Sequence, residues 1–238
     1  MSLHLFRTLV THTASRYRPA GRFSYWWSRG KLGGDPIFMG VLRHKLIPDG
    51  GSVLDLGCGQ GLLAAWLLAA ADHHANGIWD HALLPAPPHA LQLRGVERFP
   101  ADVALAHIAL GTAVDIRCGN ICHSDFGTAD VIVIMDVLHY INYSAQEDVL
   151  HRVLAALNPG GRLLLRVGNG DAGWKSRWSI WVDQAVVLAR YRKLCTLWCR
   201  PMSDWVSLLE SLGFNVLQLP MSAGTKFANV LLVAERSR

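Results

Sequence analysis

The sequence predicts an α/β fold: a seven-stranded, mostly parallel sheet with helices on both faces, an N-terminal helical lid and an insertion after the fifth strand. Three observations predict it. The run Val53 to Leu63 reads as a buried strand, a glycine turn and an apolar helix; mostly apolar runs then alternate with helical stretches down the chain; and two short strands close it. The elements follow in order. Leu3, Phe6, Leu9 and Val10 share a helical face and Tyr25-Trp26-Trp27 follow, so residues 1–50 read as an amphipathic lid with aromatic undersides. Residues 51–238 then form the sheet domain, with insertions at about 72–91 and 172–200.

Val53 to Leu56 is the first strand and Leu62 to Ala71 the helix after it. Asp72 to Leu91, with prolines at 85, 87 and 88, reads as a surface loop. Two acids compete to end the second strand, Asp80 and Glu97. Only Glu97 is followed by a stretch able to form the next helix, Ala101 to Leu110, so the second strand is Gln92 to Glu97. Val114 to Cys118 and Val131 to Met135 give strands three and four. Ser144-Ala145-Gln146-Glu147 reads as a capping box opening a helix that stops at Asn158-Pro159-Gly160-Gly161, before a fifth strand Arg162 to Val167. Beyond the insertion come a helix Asp204 to Leu212, capped by Ser203 and closed by Gly213, and strands Asn215 to Leu219 and Ala228 to Ala234.

Composition narrows the class. At 238 residues the chain can bury a full core. Its longest apolar helical run is about half of the roughly 20 residues a membrane span needs. The N-terminus lacks the pattern of a secretion signal, and cytoplasmic is the default. The five cysteines form no Cys-x-x-Cys pair, which suits reduced, packed thiols and no metal site.

The glycine turn carries the chemistry. Gly57, Gly59 and Gly61 follow a strand and precede a helix, where a ligand must touch backbone. A dinucleotide seat asks for a glycine at position 62, but Leu62 stands there, which weakens a NAD-dependent oxidoreductase reading. With Asp55 before the first glycine, the stretch resembles motif I of class I S-adenosylmethionine (SAM) methyltransferases. The resemblance covers residues 53–169 and implies a Rossmann-like fold, SAM as cofactor and S-adenosylhomocysteine as product. It places Asp55, Gly57, Cys58, Gly59 and Gly61 beside the cofactor's amino-acid part, Glu97 on the ribose hydroxyls, Asn120 and Ile121 at the adenine, and Asp136 and Val137 facing the methyl group. Asn120 departs from the family's usual aspartate, though its amide oxygen still accepts. His139 and Tyr140 are the candidate catalytic residues, His139 as the base that would deprotonate an acceptor.

The acceptor is narrowed by exclusion and by charge. The chain lacks the Asn/Asp-Pro-Pro-aromatic motif of base-amine methyltransferases and any Pro-Cys nucleophile, so nucleic acid is not the expected acceptor. A small molecule, free or on an acyl carrier protein, remains. Residues 1–50 carry eight Lys/Arg against two Asp, a balance of +6 in a chain of net charge +5. Tyr25, Trp26, Arg29, Arg166, Trp174 and Trp178 are the candidate acceptor contacts, and the charge favours an anionic acceptor, with peripheral membrane contact as another use. Tyr25 to Leu32 with Asp35-Pro36, and the ending Phe227 to Ala234, resemble small bacterial methyltransferases of aryl-polyene synthesis, which implies an aromatic or polyketide-like acceptor. A non-catalytic partner subunit with the same fold is the other class kept open.

Overall fold

The computed structural model describes residues 3–168, 196–221 and 229–236, in two compact units, Met1–Asp125 and Phe126–Arg238. The first unit holds helices α1 (Leu3–Ser15), α2 (Arg22–Gly34) and α3 (Ile37–Arg43), then β1 (Ser52–Leu56), α4 (Leu62–Ala75), β2 (Gln92–Glu97), α5 (Pro100–Leu110) and β3 (Asp115–Cys118). The second holds β4 (Ala129–Met135), α6 (Tyr143–Ala156), β5 (Leu157–Gly168), α7 (Met202–Ser211), β6 (Phe214–Pro220) and β7 (Asn229–Arg236). The strands make one mixed sheet in the order β3-β2-β1-β4-β5-β7-β6. β1, β2 and β3 run parallel, Asp55 opposite Gly95 and Glu97 opposite Cys118, so the acids of β1 and β2 lie near one sheet end.

The polar residues Asp72 to His74 do not end α4; they extend it beyond Ala71. α1 takes them up: His73 is buried with its ring stacked on His12 at 5.0 Å, and Arg16 pairs with Asp72 at 2.6 Å. The helix stops at Asn76-Gly77, where Gly77 N donates to His74 O and Ile78 N to His73 O. The loop that follows closes on itself, its buried Trp79 donating through Nε1 to Pro85 O at 3.0 Å.

α1 lies on α4 through an edge contact of Phe6 with Trp66, burying Leu5, Leu9, Val10, Thr13 and Ala14. Of the expected aromatic underside of α2, Tyr25 and Trp27 are half-buried and Trp26 is exposed. This helix lies against α1 and buries Ser24, Ser28 and Leu32, one turn apart, and the two small serines allow close approach. Phe23 and Trp26 consequently face outward, 79% and 59% exposed.

In the second unit β4 and β5 are parallel, and β7 pairs antiparallel with both β5 and β6. The cap of α6 is Asn142 and not the expected Ser144, because Asn142 Oδ1 accepts from Ala145 N at 2.9 Å. Gln146 is buried, and its amide donates to Leu138 O, Ile141 O and Trp198 O. α7 starts after Pro201 without a side-chain cap; Ser203 lies inside the helix and bonds Asp204. Residues 169–195 and 222–228 lie outside the described residues, and with them Trp174, Trp178 and the expected start of the last strand at Ala228.

Candidate functional site

The turn between β1 and α4 is wound through three positive-φ glycines, Gly57 (81°), Gly59 (56°) and Gly61 (75°). The amides of Gly57 and Cys58 both donate to Val96 O, at 2.8 and 3.2 Å, which ties the turn to β2. The glycines do different work. A Cβ on Gly61 would come within 2.5 Å of Leu110 Cδ1, so that glycine serves the packing of α5; a Cβ on Gly59 would meet nothing within 4 Å. Gly59 therefore faces open space that a ligand can enter.

Glu97 is the anchor of this turn. Buried to 6% exposure, its Oε2 accepts from Gly59 N at 2.8 Å and its Oε1 from Phe99 N at 2.9 Å. Each carboxylate oxygen offers two lone pairs, so capacity remains for two hydroxyl hydrogens, as a ribose supplies. Asp55, half-buried on β1, has its carboxyl pushed up to about 7 by burial and then by the Glu97 carboxylate. A cation brought beside it favours its ionised form, which suits the ammonium group at the amino-acid end of SAM. The open face at Gly59 and this pair of acids fit the expected cofactor.

Cys58 contributes backbone. Its thiol lies over Gly95, where a Cβ would come within 2.7 Å of the sulfur, and burial followed by the charges of Asp55 and Glu97 pushes its pKa far up, so it stays protonated. Asn120 Oδ1 accepts from Cys122 N at 3.1 Å in an Asx turn, which spends one of its two lone pairs locally. Ile121 is buried beside it.

In the second unit, Asp136 follows β4 with φ 58°, a left-handed conformation unusual for a residue other than glycine. Its amide donates to Arg166 O, while the Arg166 guanidinium forks onto its carboxylate. Arg166, expected to meet the acceptor, is only 2% exposed; the fold commits it to Asp136, because a guanidinium inside the sheet requires a charged partner. Val137 leads into the 3₁₀ turn Leu138–Tyr140. The His139 ring tilts against Tyr140 at 4.1 Å, and its carbonyl accepts from Trp198 N at 2.8 Å. Burial lowers the pKa of His139, and Asp136 offsets this in part, so the imidazole is neutral near pH 7 and able to take a proton.

Of the acceptor candidates, Tyr25 lies under the Arg18 guanidinium, Trp26 faces outward, and Arg29 donates to Thr11 Oγ1 at 2.6 Å. Two participants escaped the sequence reading. Tyr17 donates its hydroxyl to Gln60 O, 43 residues away, and nothing in the local pattern signals that. Gly95, a lone glycine within a strand, is a legible sign of close approach, here by Cys58.

A methyltransferase-domain family model matches residues 38–219. Carboxy-S-adenosyl-L-methionine synthase of Chromohalobacter salexigens is 33% identical over 132 residues, 53% of this chain and 43% of that protein. The protein of the same name from Actinobacillus pleuropneumoniae serotype 5b is 25% identical over 127 residues, 53% of this chain and 48% of that protein. The chain thus spans about half the length of the curated relatives it matches. Among solved structures, an O-methyltransferase family protein from Burkholderia thailandensis superposes with a TM-score of 0.60 at 17% identity, over 95% of this chain and 63% of that one. Human N-acetylserotonin methyltransferase in complex with SAM gives 0.59 at 18%, over 100% and 60%. These likenesses establish the fold.

Asp55 makes a testable pH signature. With a folded pKa of about 7 against an ordinary value of 3.8, the folded chain holds a proton that the unfolded chain has lost, so this group's share of stability falls as pH rises from about 4 to 7. Asp55→Asn removes that slope and is expected to stabilise the ligand-free protein at pH 8 by roughly 1–3 kcal/mol, with little change at pH 4. His139 acts with the opposite sign below 6.5 but is common to both proteins, so it cancels in the comparison. Urea unfolding at the two pH values measures the difference; an equal offset at both would refute the assignment.

Proposed function

The chain belongs to the methyltransferase-domain family, as a class I SAM-dependent methyltransferase, and from that premise we propose that it methylates a small-molecule or carrier-bound acceptor of aromatic or anionic character. The observation that carries the cofactor half is the Glu97 carboxylate, buried and holding Gly59 N beside open space. In this reading Glu97 accepts the ribose hydroxyls, Gly59 leaves room for the cofactor and Asp55 faces its ammonium group. When bound, SAM supplies a methyl group on a sulfonium whose departure leaves a neutral thioether. The chain's remaining tasks are to align the acceptor and, for a hydroxyl acceptor, to take a proton. His139 takes it, with Asp136 and Arg166 fixing the backbone just before it.

The relatives' name supports a second reading, synthesis of a carboxylated SAM, carried by 33% identity over 132 residues. The two differ in product. Mass spectrometry of turnover mixtures finds either a methylated acceptor with S-adenosylhomocysteine or a heavier sulfonium nucleoside.

SAM is expected to bind with micromolar-order affinity, roughly −7 to −9 kcal/mol. Gly59→Val should abolish binding by filling the open face, and Glu97→Gln should weaken it by about 1–3 kcal/mol. Titration calorimetry decides this; no heat from a folded wild-type protein sinks the cofactor reading.

For His139→Ala, turnover should drop by about 10² to 10⁴ while SAM affinity holds. The wild-type rate should rise with pH through an inflection below the ordinary 6.5, the direction in which burial moves this group. Intact turnover in the variant would leave His139 a packing residue.

The basic balance of residues 1–50 supports an anionic acceptor or an acidic carrier meeting that segment. Arg16 and Arg29 bond Asp72 and Thr11 within the fold, so the test reverses the exposed Arg18, Arg22 and Lys45 to Glu. The acceptor KM should rise about tenfold and lose its salt dependence, with SAM affinity unchanged. Acceptor kinetics that do not move would exclude this docking role.

A further inference from the structure

We propose that Tyr17, which precedes the matched methyltransferase domain, is a positioning residue of the cofactor seat: its hydroxyl holds the Gln60 carbonyl and so fixes the peptide that links Gln60 to Gly61. This inference rests on the cofactor reading above. Tyr17 is completely buried, and its Oη donates to Gln60 O at 2.9 Å. The matched family region begins at residue 38, so the contact comes from outside it.

The need for such a contact follows from the turn itself. Gly59 and Gly61 hold φ of 56° and 75°, but a glycine enters many other conformations as readily, and the Gln60–Gly61 peptide can flip at low steric cost. A turn that requires glycine is therefore one that must be clamped from outside. Glu97 holds the amide of Gly59, Asp102 accepts from Gln60 Nε2 at 3.2 Å, and Tyr17 holds the Gln60 carbonyl. Within the turn the Gly61 amide donates to Cys58 O at 2.9 Å, and of the three side chains only Tyr17 acts on the carbonyl of that same peptide group. Burial pushes its phenol pKa far up, so the hydroxyl stays a donor at any working pH.

The donor is delivered rigidly. The chain after α1 is folded tightly around Tyr17, whose amide donates to Ala14 O at 3.0 Å and whose carbonyl accepts from Ala20 N at 3.1 Å. α1 is fastened to α4 by the Phe6–Trp66 edge contact, the His12–His73 stack and the Arg16–Asp72 pair. Any displacement of the N-terminal helices is thus felt at the cofactor turn.

The test separates positioning from simple stability. Tyr17→Phe removes one oxygen and keeps the ring. Thr13→Val is the control, since Thr13 is as fully buried and its Oγ1 bonds Leu9 O at 2.8 Å within α1, away from the turn. Calorimetry with SAM should give Tyr17→Phe a Kd raised about 5- to 30-fold, with kcat at saturating SAM within twofold, while Thr13→Val keeps the wild-type Kd. Amide exchange at Gly59 and Gly61 should quicken in Tyr17→Phe alone. An unchanged Kd in Tyr17→Phe, or an equal rise in Thr13→Val, overturns this inference and leaves the cofactor reading standing. No SAM binding by wild type removes both.

Discussion

The first unit is arranged around one carboxylate. Glu97, at the end of β2, accepts from the amide of Gly59 across 38 residues of chain and from Phe99 two residues on. Both partners are backbone donors, present whatever residues stand at 59 and 99, and a single carboxyl group at position 97 takes up both. Its place is set by sheet geometry. The parallel pairing of β1 with β2 puts Asp55 opposite Gly95, and the turn after β1 then passes the strand end where Glu97 sits. An apolar side chain there would leave the half-buried Gly59 amide without this acceptor.

The cost of that arrangement falls on Asp55. Two acids close together and out of water cannot both ionise freely, and Asp55 bears the shift. A cation beside the pair would favour the ionised form of Asp55. The second unit shows a comparable tension in backbone form. Asp136 adopts a left-handed conformation and is held there by its amide bond to Arg166 O and by the buried guanidinium of the same residue. Both cases place strain where chemistry is expected.

The N-terminal helices are more than an attachment. α1 absorbs the polar end of α4, and Tyr17, two residues past α1, holds the glycine turn through Gln60 O. α2 inverts the usual order, with serines inward and Phe23 and Trp26 outward. The inversion is intelligible as a division of labour: the serines permit close approach to α1, and the aromatic rings stay available on a strongly basic segment.

The succession of strands and helices along the chain, the glycine turn and the place of Glu97 at the end of the second strand were legible in the sequence, because each rests on local chemistry: apolar runs make buried strands, and an acid at a strand end followed by a competent helix marks the second strand. Proline placement settled the choice of Glu97 over Asp80, again by a local rule. What tertiary structure alone decided are the pairings between distant groups. Asp72 and His73 look like the end of a helix until α1 covers them; Ser144 looks like a cap until Asn142 supplies a better-placed oxygen; Arg166 looks like an acceptor contact until burial forces it onto Asp136. Tyr17 gives no signal of its own. Its partner is a backbone carbonyl, which every residue carries, so only the folded path of the chain could select Gln60.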